Sequence, residues 1–444
     1  MGMEFYGDDY RGADVAPFVG INTFLHLPWV KTHEELVNAR PDVAIIGEPF
    51  DFGTTIRPGA RYGPRALRAA STIPSPPYER FNIETGADPF GTFRTVDYGD
   101  VHVSPGDVIE SHKRMSQKVK EVLEQDGIPV MLGGDHSITY ANVRAFAKKY
   151  KNIGMIHFDT HADCAPQGLT GYKYDHGAHI RRIMEMGCMK GRNYSLVGPR
   201  GYWPGPDLYK WMSDQDFQWF TMLDVEELGI DYIAKEIADR ANDGTDAVYL
   251  SWDIDSFDPA YAPGTGEPEP NGLTSREGIR MVRLLSKSFD PDRFAMDLVE
   301  VAPAYDVSDN SSYNGGITSG LGQRLIVELL AGLSLTKRGL DEGSPFQNDV
   351  LAASADRVKS KLRRNMRINL NETLLLFTEH IAHMLREGKG YDQIKREISG
   401  ILSSDQVMPG TPEMLRRLDF EILSDHKTEI TVNQPIAIPD AARM

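Results

Sequence analysis

Ile156-His157-Phe158-Asp159-Thr160-His161-Ala162-Asp163 is the stretch on which the reading of this chain turns. The apolar run from Ile153 to Phe158 reads as a buried strand, and metal-type ligands follow at alternate positions as it ends. In an extended chain, residues two apart face the same side, so Asp159, His161 and Asp163 are expected to converge. The carboxyl ends of strands are where ligands gather in open α/β sheets. Two carboxylates and an imidazole so close together repel unless a cation stands between them, and a divalent ion is the economical answer. The plainer alternative is a solvated strand end that carries polar residues by chance.

Two further stretches weigh against that alternative. Gly133-Gly134-Asp135-His136 follows the apolar Ile128–Leu132, and Asp253-Ile254-Asp255 follows Ala247–Trp252. Together the three strand ends present His136, Asp159, His161, Asp163, Asp253 and Asp255. Six ligands exceed what one tetrahedral zinc takes, and carboxylates mixed with imidazoles suit two ions such as Mn²⁺ or Ni²⁺.

Working outward, apolar strand-like runs alternate with helical patterns. Strands are predicted at 43–47, 97–101, 128–132, 153–158, 194–197, 218–221, 247–252 and 294–299, with helices at 107–125, 230–241, 275–286 and 320–333 among others. This alternation predicts a three-layer α/β/α fold around a mostly parallel sheet. The glycine- and proline-rich segment after the first strand carries Arg57 and Arg61, which read more readily as structural ion-pair partners than as substrate contacts. Residues 1–40 read as an N-terminal arm, 41–335 as the catalytic domain, 336–367 as a linker with a basic helix, and 368–444 as a small α+β domain. The basic run holds Arg357, Lys359, Lys361, Arg363, Arg364 and Arg367, and reads as a solvated face before it reads as a nucleic-acid contact.

The 444 residues carry a net charge of −16, which argues against nucleic acid as the main partner and suits a small cationic substrate. Two cysteines, Cys164 and Cys188, make no disulfide framework, so a reducing, cytoplasmic setting is expected. The start of the chain lacks a signal-peptide pattern, and no apolar stretch is long enough to span a membrane.

In their order and spacing, Gly-Gly-Asp-His at 133–136, Asp-x-His-x-Asp at 159–163 and Asp-x-Asp at 253–255 resemble the ureohydrolases, the arginases and agmatinases. The likeness runs from about Phe18 to about Leu335. Phe18–Phe24, the Arg57–Pro64 loop, Tyr174–Gly177 and Ser251–Gly272 lie nearest the agmatinase branch. The resemblance implies an arginase-like fold with a binuclear centre. Asp159 and Asp253 would bridge the ions, His136 and Asp163 would complete one site, and His161 and Asp255 the other. It implies hydroxide between the ions as nucleophile, oriented by Asp163, with Glu300 holding the guanidinium and His176 passing a proton to the leaving amine. Trimers or hexamers are implied too. Residues 368–436 resemble the gamma subunit of urease through Leu374–Thr378, Leu402–Met414 and Val432–Ile436, which implies an assembly or docking role without chemistry.

For the substrate, the loop Cys164-Ala165-Pro166 lacks the Asn-Thr-Pro with which arginases read an amino-acid end, so arginine is disfavoured. His26 and Ala178-His179-Ile180 depart from the agmatinase pattern. Trp252 and Trp203 are expected to close the pocket around a very small cation, with His179 and Glu300 also on the substrate side. The reading is guanidine hydrolysed to urea and ammonia, with nickel favoured by the resemblance to guanidine-hydrolysing relatives. Agmatine and 4-guanidinobutyrate are the alternatives. A metal-binding scaffold without catalysis is the alternative of another class, but it would lack a catalytic residue, and all eight motif positions are filled. A deacetylase of the same broad fold would hold a single zinc.

Overall fold

A computed structural model describes residues 20–71, 82, 84–169, 171–202, 205–307 and 316–339. It also describes scattered positions from 358 to 407 and the backbone of strands Phe420–Ser424 and Lys427–Val432. The chain divides into two compact units, Met1–Asn82 with Ala87–Gly339, and Ile83–Gly86 with Leu340–Met444.

In the first unit eight strands form one sheet: β1 (Val43–Glu48), β2 (Thr95–Asp100), β3 (Ile128–Gly133), β4 (Ile153–Phe158), β5 (Tyr194–Val197), β6 (Gln218–Phe220), β7 (Ala247–Asp253) and β8 (Phe294–Val299). Their order is β2-β1-β3-β8-β7-β4-β5-β6, and every neighbouring pair is parallel. The central strands are buried along their whole length, as in a sheet covered on both faces.

Alternation along the strands divides the core into two layers. Val130, Leu132, Ile156, Phe158, Leu250, Trp252, Met296 and Leu298 face one side, against helices Ile230–Asn242, Ser275–Ser286 and Gly316–Arg338. Met131, Met155, Tyr249, Ala295 and Val299 face the other, against Val108–Leu123, Ile138–Lys149 and His179–Glu185. The expected α/β/α sandwich with a mostly parallel sheet is therefore the observed architecture. The four strands β3, β8, β7 and β4 stand side by side at its centre, so their carboxyl ends form one continuous rim.

Local chemistry fixes the element ends. Asp107 caps Val108–Leu123, and Thr274 with Glu277 forms a capping box on Ser275–Ser286. Helix Gly316–Arg338 continues past residue 335, where the catalytic domain was expected to end. Arg57 and Arg61 are structural: Arg61 pairs with buried Asp51, and Arg57 donates to the Thr265 and Gly266 carbonyls. In the second unit Phe420–Ser424 and Lys427–Val432 pair antiparallel, as the alternation there predicts. The positions described around 373–384 are helical, with Leu376, Phe377, Ile381 and Met384 buried. Arg357, Lys361, Arg363, Arg364 and Trp203 lie outside the described residues.

Candidate active site

Each of the four central strands delivers part of one cluster. The Nδ1 of His136, just past β3, lies 3.1 Å from Asp159 Oδ2, 3.3 Å from Asp163 Oδ2 and 3.0 Å from Asp253 Oδ2. His161 Nδ1 lies 3.5 Å from Asp159 Oδ1 and 3.1 Å from Asp255 Oδ2. Donor atoms of His136, Asp159 and Asp163 form one tight group, and those of Asp159, His161 and Asp255 a second, with Asp159 in both. Glu300, immediately after β8, accepts at Oε1 from the His136 backbone N–H (2.8 Å) and lies 3.0 Å from His176 Nδ1.

All six expected ligands come together, but by a different route from simple strand alternation. β4 ends at Phe158, and the ligands after it sit in a turn in which Asp159 Oδ1 accepts from the His161 N–H at 2.6 Å. Asp163 then takes a left-handed backbone (φ 42°). Asp255 likewise lies in a short 3₁₀ turn, its N–H bonded to Asp253 Oδ1 at 2.8 Å. Glu300 also has a positive φ, 61°, which a non-glycine residue adopts at a local cost. Two such residues at one site mark where the surrounding packing holds the backbone in a required pose.

Trp252 does not close the cavity. It lies between Ser251 and Asp253, which face the cluster, so the pleat turns it to the opposite layer. There it is fully buried, stacked on Phe158 (3.9 Å, 14°) and bonded through Nε1 to Ser256 Oγ at 3.0 Å. His179 is also withdrawn from the cavity. It stacks on His136 at 4.1 Å and donates through Nδ1 to the His176 carbonyl at 2.8 Å. Burial and the neighbouring His136 and His157 hold its pKa well below the ordinary imidazole value. It orients a neighbour and does not line the substrate space.

The electrostatics of the cluster show what it lacks. Burial and the Asp159 charge push Asp163 up to about 7, and burial with the adjacent carboxylates raises Asp253 and Asp255 as well. His136 Nδ1 is buried and has no hydrogen-bond partner, although three carboxylate oxygens surround it. A buried imidazole nitrogen ringed by three carboxylate oxygens without a hydrogen bond of proper geometry to any of them is the arrangement a cation site requires. Four carboxylates and two imidazoles fit a pair of divalent ions.

Above the cluster opens a cavity of about 280 Å³. His161, Asp163, His176, Asp253, Asp255 and Glu300 reach it, and no Lys or Arg lines it among the described residues. His176 Nε2 is 2.9 Å from Thr55 Oγ1 and 3.4 Å from Glu267 Oε1. Burial opposes charge on this imidazole, but the Glu300 bond and the Glu267 charge outweigh it, leaving its pKa well above 6.5.

Sequence reasoning passed over several contributors. His157 shares the face of Asp159 by the same two-residue spacing, and its Nε2 reaches Asp159 Oδ2 at 2.8 Å. Asp135 accepts from the Gly53 N–H (2.7 Å) and so holds the loop that presents Thr55. Ser251 Oγ lies 2.9 Å from His136 Nε2 and donates to Asp297 Oδ1 at 2.6 Å, fixing the ring from behind. Alternation from Asp253 marks Ser251; nothing local marks Asp297 or Glu267.

Comparison with known proteins agrees with this geometry. Residues 41–332 match the arginase family, and residues 347–436 match the urease gamma subunit. A mitochondrial agmatinase of Gallus gallus is 37% identical over 316 residues, 71% of this chain and 86% of that protein. A guanidinobutyrase of Pseudomonas aeruginosa is 34% identical over 319 residues, 72% of this chain and 94% of that protein. The solved structure of proclavaminate amidino hydrolase from Streptomyces clavuligerus superposes with a TM-score of 0.63 at 32% identity, covering 72% of this chain and 99% of that one. An acid-and-imidazole cluster on the rim of a parallel sheet, with these relatives across most of the chain, makes it a member of the arginase family, a ureohydrolase acting on the C–N bond of a guanidino group.

Proposed function

We propose that the chain hydrolyses free guanidine to urea and ammonia, using two divalent ions, nickel or manganese, held by His136, Asp159, His161, Asp163, Asp253 and Asp255. The observation that carries the substrate class is the cavity lining: carboxylates and imidazoles, and no described Lys or Arg to receive the carboxylate of arginine or of a guanidino acid. Two bound divalent ions supply the Lewis acidity that yields a hydroxide-like nucleophile near neutral pH.

The protein's own groups do the rest. Glu300 spends Oε1 on His136 N–H and His176, and its second oxygen takes up an N–H pair of the planar cation. Asp163, at the cavity wall, accepts a hydrogen bond from the attacking oxygen and sets its direction. A C–O bond forms at the guanidinium carbon to give a tetrahedral adduct. Its hydroxyl proton passes to Asp163 and offsets the one His176 gives up, and one C–N bond breaks as the C=O forms. The departing nitrogen takes its proton from His176 Nε2, whose raised pKa keeps that proton available. Urea and ammonia account for all atoms.

Agmatine is the second reading. The avian relative is named an agmatinase, and Ile56 and Leu169 give the cavity apolar surface for a methylene chain. Buried, unpaired Cys164 and Cys188 support a reducing, cytoplasmic setting. Among the described residues no helix is long and apolar enough to cross a membrane. The match of residues 347–436 to the urease gamma subunit supports an assembly role for residues 368–444 in a homo-oligomer, trimer or hexamer.

The test is urea release by protein loaded separately with Mn²⁺ and Ni²⁺, on guanidine, agmatine, 4-guanidinobutyrate and arginine. Preferred turnover of guanidine is expected. Preferred turnover of agmatine would establish the second reading, and preference for a guanidino acid would refute both.

A further inference from the structure

We infer that Glu267 sets the charge specificity of this cavity, acting as a second carboxylate wall that faces the guanidinium together with Glu300. The inference rests on the guanidinium-binding reading above and assigns a residue which that mechanism leaves without a task. Glu267 lines the cavity with Thr55, His176 and Glu300. Its Oε1 stands 3.4 Å from His176 Nε2, its Oε2 3.9 Å from His161 Nε2, and its side chain is 19% exposed. Oε1 is nonetheless buried without a hydrogen-bond partner. A carboxylate oxygen withdrawn from water, with only the long 3.4 Å approach of His176 Nε2 beside it, has capacity left for a cation that arrives from outside.

The backbone on either side of Glu267 is pinned. Arg57 donates to the Thr265 and Gly266 carbonyls (3.0 and 2.6 Å), and its guanidinium lies over the Tyr305 ring at 4.4 Å. Arg200 donates to the Glu269 carbonyl at 2.6 Å, to Pro270 at 2.9 Å and to Asp255 at 2.9 Å. Two arginines thus clamp the loop before and after Glu267, which fixes its carboxylate at the wall. With no described Lys or Arg lining the cavity, a substrate tail bearing a carboxylate meets like charge, while a bare guanidinium or a cationic tail meets opposite charge.

The test compares wild type, E267Q and E267D for urea release from guanidine, agmatine and 4-guanidinobutyrate, with metal content measured by elemental analysis. E267Q is expected to raise the KM for guanidine about tenfold, with a smaller fall in kcat because Glu267 also faces the proton-donating His176 at 3.4 Å. It should also raise the kcat/KM ratio of 4-guanidinobutyrate to guanidine about tenfold. E267D, which keeps the charge, should hold the wild-type ratio, and metal content should match in all three. Calorimetry with guanidinium chloride in an H176N background, where turnover is suppressed, gives a binding readout, about tenfold weaker when E267Q is added. An unchanged ratio and unchanged guanidinium affinity in E267Q, or changes that appear only with loss of metal, would overturn the assignment. The wild type's own substrate preference tests the guanidine reading separately, because the role of Glu267 is read from the change between variant and wild type.

Discussion

Glu300 joins two strand ends and a loop through one oxygen, and His176 owes its charge to that bond. Replacing His176 with Asn should lower kcat by about 10²–10⁴-fold while leaving the metal content intact, since the imidazole lies outside the ligand cluster. Elemental analysis beside steady-state kinetics checks both halves, and loss of metal in H176N would contradict the assignment. Behind the cluster, Asp297 accepts from Tyr249 (2.5 Å), Ser251 (2.6 Å) and Thr139 (2.8 Å), and Ser251 in turn holds His136. D297N should weaken metal binding about 10–100-fold in a chelator competition. Far from the ions, Glu48 is fully buried, and desolvation pushes it up to about 8 against the bond from Asn142. A carboxyl raised in the folded state stabilises fully below its unfolded pKa and loses that contribution as pH rises through the folded value. E48Q should therefore be more stable than wild type at pH 9, by about 1–3 kcal/mol, and no more stable at pH 4. Denaturant titrations at the two pH values decide it. At this scale the sequence was legible where ligand type and spacing coincide, as at Asp159 and His161. It was opaque where a role depends on a distant neighbour, as with Asp297 and Glu267. Trp252 was misplaced although the pleat that points Asp253 at the site necessarily points Trp252 away.

The strands were the most legible elements, because full burial on two faces forces continuous apolar runs such as Ile128–Leu132 and Ile153–Phe158. Helix Ser275–Ser286 was readable to the residue from its capping box, Thr274 and Glu277. Short helices such as Pro206–Asp214 and Met222–Leu228 escaped notice, since seven to nine residues hold too little periodicity to separate from a loop. Helix packing against the sheet depends on a few glycines. A Cβ on Gly154 in β4 would collide with the backbone carbonyl of Ala241 in helix Ile230–Asn242, which has no flexible side chain to yield. G154A should destabilise the protein by at least about 1–3 kcal/mol. Gly320, in helix Gly316–Arg338, has nothing within 4 Å of the same position. G320A should instead add about 0.5–1 kcal/mol through helix propensity. Paired thermal melts of the two variants test whether close approach or propensity governs.

Across the whole molecule, metal loading and stability are coupled by pH. In the metal-free protein Asp163 is raised to about 7, with Asp253 and Asp255 raised too, by burial first and then by neighbouring carboxylates, Asp159 for all three and Asp255 for Asp253. Raised carboxyls cost the empty protein stability as pH climbs from about 4 through 7, whereas the loaded protein needs them ionised. The gap in Tm between metal-loaded and chelator-treated protein should widen from pH 5 to pH 8, and a constant gap would argue against these ligands. The parallel sheet and its layering followed from the alternation of strands and helices, but neither the strand order nor how one molecule meets another is written in any local pattern. The arginine clamp on the loop around Glu267 has a consequence for descent. When the frame is fastened on both sides of a residue, one codon can change at its centre while the frame stays put. On the role inferred for Glu267, a single nucleotide exchange there would shift the preference among guanidino compounds, and sister genes would diverge in diet before they diverge in shape.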